Sequence, residues 1–271
     1  MSGLSLVGLK KTFERGTPNE KLALDCVNLE VPQGDFITVL GSNGAGKSTL
    51  FNAILGKFRL DRGKIILDGE DITRQKDYQR ALNIGCLYQN PLRGTAPNMT
   101  IEENLALAYT RKASRSFFAV NRRDSAHFRE LLKDLDLGLE NRLKTKMGLL
   151  SGGQRQAASL LMATIAKPKL LLLDEHTAAL DPATAEKVLA LTERIVSDYK
   201  LTCLMITHNM QSALTIGKRT IIMDNGRIVL DISGQERDNL TISGLLERFR
   251  EHAGKSLDND RILLENATLG A

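Results

Sequence analysis

Long hydrophobic runs are missing from this sequence. The longest, such as Leu170–Leu173, fall far short of the ~20 residues needed to cross a bilayer, so work at a membrane would require a partner that carries the chain there. Cysteine is scarce. Cys26, Cys86 and Cys203 form an odd set with no C-x-x-C pair, which argues against a disulfide framework or a cysteine zinc site. Each lies among apolar neighbours, which predicts buried, reduced thiols in a reducing compartment. The opening M-S-G-L-S-L-V-G-L-K has no basic n-region and no long apolar stretch, so no signal peptide is expected. Charge is not concentrated either. The net +5 is spread along the chain, giving weak support to a nucleic-acid partner; an anionic nucleotide or an acidic membrane face suits it as well. What is present is ordinary for a soluble globular protein: 271 residues, 42% hydrophobic and 25% charged, enough for one large or two small domains with a sizeable core.

The densest chemistry lies in Gly41-Ser42-Asn43-Gly44-Ala45-Gly46-Lys47-Ser48-Thr49, which satisfies G-x-x-x-x-G-K-[S/T]. Phe36–Leu40 before it reads as a short buried strand, and 49–58 after it as a helix with Leu50, Phe51, Ile54 and Leu55 on one face. A phosphate-binding loop belongs between a strand end and a helix start. Glycines let successive backbone N–H groups curl around phosphate oxygens, and the helix N-terminus adds its unpaired N–H groups. Lys47 would reach the β/γ-phosphates and the Ser48 hydroxyl would hold Mg²⁺.

Upstream, residues 4–10 and 22–31 read as strands of an antiparallel flap. In the intervening loop, Phe13 would either stack on an adenine or plug the space under the flap. Downstream, 64–67 and 84–88 are short strands, with Asp68-Gly69 a hairpin turn. Helical spacing dominates to about Lys167, at 101–109 and 125–137, with a basic segment Arg111-Lys112-Ala113-Ser114-Arg115 between. Leu150-Ser151-Gly152-Gly153-Gln154 opens a further helix, whose N-terminus is a second anion site. Leu170–Leu173 reads as a buried central strand ending in Asp174 and Glu175 at the sheet edge where α/β folds bind ligands. Asp174 would hold Mg²⁺ and Glu175 would polarise a water for attack on a γ-phosphate. Asp181-Pro182 opens another helix. Residues 203–206 form a strand closing on Thr207-His208, where His208 is either a satisfied core residue or a phosphate contact. A hairpin flanks Asp224-Asn225-Gly226. Beyond Ser243 the tail starts as a docked helix on Leu245, Leu246 and Phe249 and ends in a loose Asn-, Asp- and Gly-rich stretch.

These residues together resemble the ATP-binding subunit of ABC transporters, over roughly 4–240: Walker A at 41–48, the Q-loop Gln89, the Leu-Ser-Gly-Gly-Gln signature at 150–154, Walker B ending at Asp174, then Glu175, the D-loop Asp181 and the switch His208. The resemblance implies an α/β P-loop NTPase (RecA-like) core with a parallel central sheet, an N-terminal antiparallel β flap and an inserted α-helical subdomain. Core and flap would occupy 1–88 and 169–243, the helical subdomain 89–168, and a helical tail 244–271. It implies an ATPase using ATP and Mg²⁺, with Phe13 on the adenine, the P-loop residues 42–49 on the phosphates, and Ser48, Gln89 and Asp174 about the metal. Glu175, His208, Gln89 and Lys47 would be the catalytic residues. In a head-to-tail homodimer, Ser151 and Gly153 of one subunit would cap the γ-phosphate held by the other, with Gly152, Gln154 and Asp181 also among the nucleotide-binding residues. The chain departs from the family at His176, where proline is usual, and at Ala157 and Met162, where arginine is frequent. Position 176 is expected to act as a linker.

A cassette with no fused membrane segment resembles the energy subunit of a bacterial importer, working with integral-membrane permease subunits and an extracytoplasmic solute-binding protein. It would lie peripherally on the cytoplasmic face of the cell membrane. The segment after Gln89, residues 90–103, would meet the permease, with Arg93 and Met99 at the contact. The solute would be small and organic, such as an amino acid. An exporter ATPase with a separate permease is the alternative. A soluble ABC ATPase acting on nucleic acid or ribosomes is disfavoured, because the chain has no coiled-coil insert, zinc cysteines or duplicated cassette.

Overall fold

The computed structural model describes residues 2–112 and 122–253; residues 113–115 of the basic segment and the polar end of the tail lie outside the described residues. In chain order the elements are β1 (Ser2–Phe13), β2 (Lys21–Pro32), β3 (Phe36–Leu40), α1 (Lys47–Leu55), β4 (Arg62–Leu67), β5 (Glu70–Asp71), α2 (Asp77–Arg80), β6 (Ile84–Leu87), α3 (Ile101–Tyr109), α4 (Arg122–Lys133), α5 (Gly152–Thr164), β7 (Leu170–Asp174), α6 (Pro182–Asp198), β8 (Thr202–Ile206), α7 (Met210–Thr215), β9 (Arg219–Asp224), β10 (Arg227–Ser233), α8 (Gly234–Asp238) and α9 (Ile242–Ala253). They pack as two units, one from the chain up to Ala81 and from Lys200 onward, the other from Leu82 to Tyr199.

In the first unit β1 pairs antiparallel with β2 and β4, and β4 with β5, building the flap. β3 lies parallel to both β8 and β9, and β10 returns antiparallel to β9. Every residue of β3 and β8 is buried, as expected of strands covered on both faces. The β9–β10 turn places Asn225 and Gly226 at φ 45° and 75°, the left-handed pair a tight hairpin requires. α9 seats Leu245 and Phe249 against Leu40, Ala213, Ile222 and Ile232, so the first part of the tail is a docked helix as anticipated.

In the second unit β6 and β7 run parallel, Ile84 opposite Leu170 through Leu87 opposite Leu173. Leu170, Leu171, Leu172 and Leu173 are all fully buried, each worth about 1.5–3 kcal/mol of hydrophobic stabilisation. α5 packs against both α3 and α6. The chain is thus α/β, with parallel strands and an N-terminal antiparallel sheet.

Two local expectations are corrected. α1 ends at Leu55, short of the predicted 58, because Gly56 turns left-handed (φ 76°) and returns its N–H to Ala53 O at 3.1 Å. Buried Arg80 finishes that end, donating from Nη1 to Ala53 O and Ile54 O at 2.8 Å each. Cys26 is exposed, not buried, and Cys86 is only half-buried; Cys203 alone fits the expectation. Cys26 sits at φ 55° where the β1–β2 register slips, and that irregularity turns its side chain outward.

Candidate active site

The loop between β3 and α1 curls as a phosphate cradle must. Gly41, Gly44 and Gly46 all have positive φ, at 146°, 84° and 102°. At Gly41 a Cβ would run into the carbonyl oxygen of Met223, and at Gly46 one would lie 2.8 Å from Ala23 O, so glycine is obligatory there on both counts. Asn43, Gly44 and Ser48 are exposed at the mouth, while Ala45 is buried. Lys47 is also buried, and its ammonium donates to Gly41 O at 2.6 Å and Ser42 O at 3.0 Å. That holds the cation over the loop, beside the N–H groups of the first turn of α1.

His208 follows β8 and is exposed, so the satisfied-core reading fails. It lines a small cavity of about 20 Å³ with Gly41, Ser42 and residues of α9. Phe13, half-buried at the end of β1, packs edge-on against Phe58 with ring centroids 5.1 Å apart, and Lys11 Nζ lies 5.2 Å from its centroid.

The second unit carries the acidic half. β7 delivers Asp174 and Glu175 at its C-terminal end, both half-buried. Glu175 has φ 45°, a strained left-handed turn that swings its carboxylate off the strand line. Gln89, just past β6, donates from Nε2 to Glu175 Oε2 at 3.2 Å. Ser151 caps α5, its Oγ accepting from Gln154 N at 3.3 Å, while Gln154 Oε1 accepts from Ser151 N at 3.4 Å and Arg142 Nη1 at 3.2 Å. Gly152 and Gly153 form the first turn. Asp181 caps α6 by accepting from Thr184 N at 3.0 Å, and hydrogen bonding with Thr184 holds its carboxyl below the usual range.

No cluster of three or more His, Cys, Asp or Glu side chains poised to hold a metal occurs among the described residues. Ser48, at the start of α1, and Asp174, at the end of β7, each carry an oxygen donor of the kind Mg²⁺ takes when it is bound chiefly through substrate phosphates, which needs only one or two protein ligands.

Sequence reasoning missed three features. His176 lies in the turn that links β7 to α6, but its side chain is more than a linker's. It is buried (3% exposed), and its Nε2 meets Thr192 Oγ1 on α6 at 3.1 Å. Asn104 is fully buried on α3, accepting from Ala96 N at 2.8 Å and donating to Ala96 O at 3.0 Å and Thr100 O at 2.9 Å. An amide among the apolar positions Ile101 and Leu105, just after the Thr100–Glu103 capping box, was the available signal. The third is a cavity of about 440 Å³ beside the chain after Gln89, lined in part by Arg93, Met162 and Arg111. Met99 does not line it; its carbonyl accepts instead from Met147 N at 2.9 Å.

Comparison with known proteins bears on all of this. A family model described as ABC transporter matches residues 24–178. The chain is 40% identical to the Tyrosine transport ATP-binding protein of Clostridioides difficile, over 91% of this chain and 98% of that one. It is 39% identical over 76% of its length to the Methionine import ATP-binding protein MetN of Rhizobium johnstonii, spanning 56% of that longer protein. Its fold is similar to the dimeric ATP-binding cassette MJ0796 in a post-hydrolysis state bound to ADP and Pi, with TM-score 0.74 and 27% identity over 85% of this chain and 98% of that one. It is also similar to the ADP conformation of the cassette MJ1267, with TM-score 0.73 and 26% identity over 92% and 98% of the two chains.

Proposed function

This chain belongs to the ABC transporter family, as an ATP-binding subunit whose ATPase activity is coupled to transport, and from that premise we propose that it powers import of a small organic solute of the amino-acid class through a separate permease. The observation that carries the solute class is the end-to-end similarity to a subunit named for tyrosine transport. The subunit would sit peripherally on the cytoplasmic face of the membrane, beside its permease and an extracytoplasmic solute-binding protein.

Phe13 stacks on the adenine, and the loop 42–49 wraps the triphosphate. Lys47 turns its ammonium from the loop carbonyls to the β/γ-oxygens. Ser48, Gln89 and Asp174 would hold Mg²⁺, which would supply neutralisation of the charge on those oxygens. Glu175 orients and polarises the attacking water, and His208 contacts the γ-phosphate. Two copies close head to tail, with Ser151 and Gly153 of each capping the γ-phosphate on the other, so binding joins the pair and hydrolysis loosens it. Support for coupling comes from the Gln89–Glu175 hydrogen bond. The chain that supplies Gln89 continues directly into the turn Pro91–Gly94 beside the 440 Å³ cavity, so a partner seated there pulls on the water-activating carboxylate.

The test is recovery of tagged protein from detergent-solubilised native membranes, with mass spectrometry of its companions. A multi-span permease with a solute-binding protein is expected. A permease without one would point to export, and ribosomal or DNA-repair companions alone would overturn the transport reading.

A further inference from the structure

We infer that His176 is a positioning residue for hydrolysis: its hydrogen bond to Thr192 on α6 fixes the turn that aims the Glu175 carboxylate. This deepens the hydrolysis reading above and rests on its assignment of Glu175. The strand does not place that residue by itself. β7 ends at Asp174, and Glu175 stands at φ 45°, which a residue bearing a Cβ holds only where its surroundings impose it. The turn is closed by Ala178 N donating to Glu175 O at 3.0 Å, with Leu180 N donating to Thr177 O at 3.1 Å. Those bonds run within the loop. They give the turn its shape without fixing its seat on the rest of the second unit.

His176 supplies that seat. From Asp174 to Lys187 it is the one buried residue among the described residues. Its Nε2 meets Thr192 Oγ1 at 3.1 Å, and Thr192 is itself fully buried in the interior of α6. The Thr192 hydroxyl donates to Val188 O at 2.8 Å, so its oxygen takes the Nε2 proton and the direction of the ring is set. Apolar packing is not directional and lets a side chain of similar size turn in its socket. A hydrogen bond between two groups withdrawn from water is directional and costly to leave unmade. It also ends on the body of a helix, a more rigid reference point than a loop. Glu175 and His176 are adjacent, their Cα atoms about 3.8 Å apart, so rotation at His176 moves Glu175 directly. Gln89 holds the far end, donating to Glu175 Oε2 at 3.2 Å. His176 sets where the carboxylate starts from, and Gln89 where it points.

The test measures ATP hydrolysis by the purified full chain, expressed per ATP-binding site, so that a smaller folded fraction does not count as slower chemistry. His176→Leu and Thr192→Val remove the bond from opposite sides. Each should lower kcat about 10-fold, inside the roughly 10²-fold that a 1 Å misplacement costs, with KM for ATP unchanged. The double variant should be no slower than the slower single one, because both remove the same bond. Thr192→Ser, which keeps the hydroxyl, should retain most of the wild-type kcat. In a Glu175→Gln background, His176→Leu should leave the residual single-turnover rate within about twofold, because the group it positions is already gone. Wild-type kcat in both single variants, or a loss that persists undiminished in the Glu175→Gln background, would overturn this inference and leave Glu175 its role. Wild-type turnover by Glu175→Gln alone would remove that role, and this inference with it.

Discussion

Lowering the pH from about 7 to about 5 should cost this protein about 2 kcal/mol through one imidazole, that of His176. Burial pushes His176 from the ordinary 6.5 down to about 4. The unfolded chain therefore binds a proton that the folded chain refuses throughout that interval. Stability from this group is fully present above about pH 6.5 and is lost as pH falls toward 4. The complete loss is about 3 kcal/mol, because each tenfold change in proton affinity is worth roughly 1.4 kcal/mol. The neutral ring has a defined role: Thr192 Oγ1 donates to Val188 O at 2.8 Å, so it accepts from His176 Nε2–H at 3.1 Å. Protonating Nδ1 would place a full charge where the side chain is almost wholly removed from water. The assay is urea unfolding followed by circular dichroism across this pH range, for wild type and His176→Leu. Leucine fills the site without titrating and leaves Thr192 its bond to Val188. The other three histidines are common to both proteins, so their contributions cancel. Wild type should lose about 2 kcal/mol more than the variant between the two pH values. Parallel pH dependences would refute the claim that His176 is held neutral by burial.

Glu175→Gln should keep nucleotide affinity and slow turnover at least ~10²-fold, since it removes the group proposed to activate water; single-turnover hydrolysis beside equilibrium ATP binding separates the two. Lys47→Ala should abolish measurable ATP binding in calorimetry, and wild-type affinity would contradict the cradle. Arg237→Met should lower stability by about 3 kcal/mol or more in chemical denaturation, because it strands buried acceptors: Arg237 donates to Thr220 Oγ1 at 2.9 Å and to Ala213 O and Ile216 O at 2.9 and 2.6 Å.

The local chemistry of this protein is written where short-range patterns carry it. The G-x-x-x-x-G-K-S run, the four leucines ending in two carboxylates, and Asp-Asn-Gly between apolar strands each declare their own geometry, and the structure has a loop on a helix, a buried strand and a hairpin there. Hidden were features decided by distant neighbours. His176 looked like a connector because nothing in its vicinity in sequence reveals Thr192 across the gap to α6. Cys26 sits among apolar residues, yet a register slip against β1 rotates it to solvent. Arg111 reads as one of several basic residues in a row, yet its Nε and Nη2 are buried in the fold.

The phosphate cradle is closed from behind by residues far along the chain. Gly41 lies against Met223, Ala45 O accepts from Gly226 N at 2.9 Å, and Asp25 N donates to Gly226 O at 2.9 Å. During synthesis, then, the loop proposed to grip nucleotide emerges early but is finished only after the β9–β10 hairpin has left the ribosome. A nascent chain halted before that hairpin has the motif without the pocket. ATP therefore cannot act as a template for the early half of this protein; it can only reward a chain already folded through that turn.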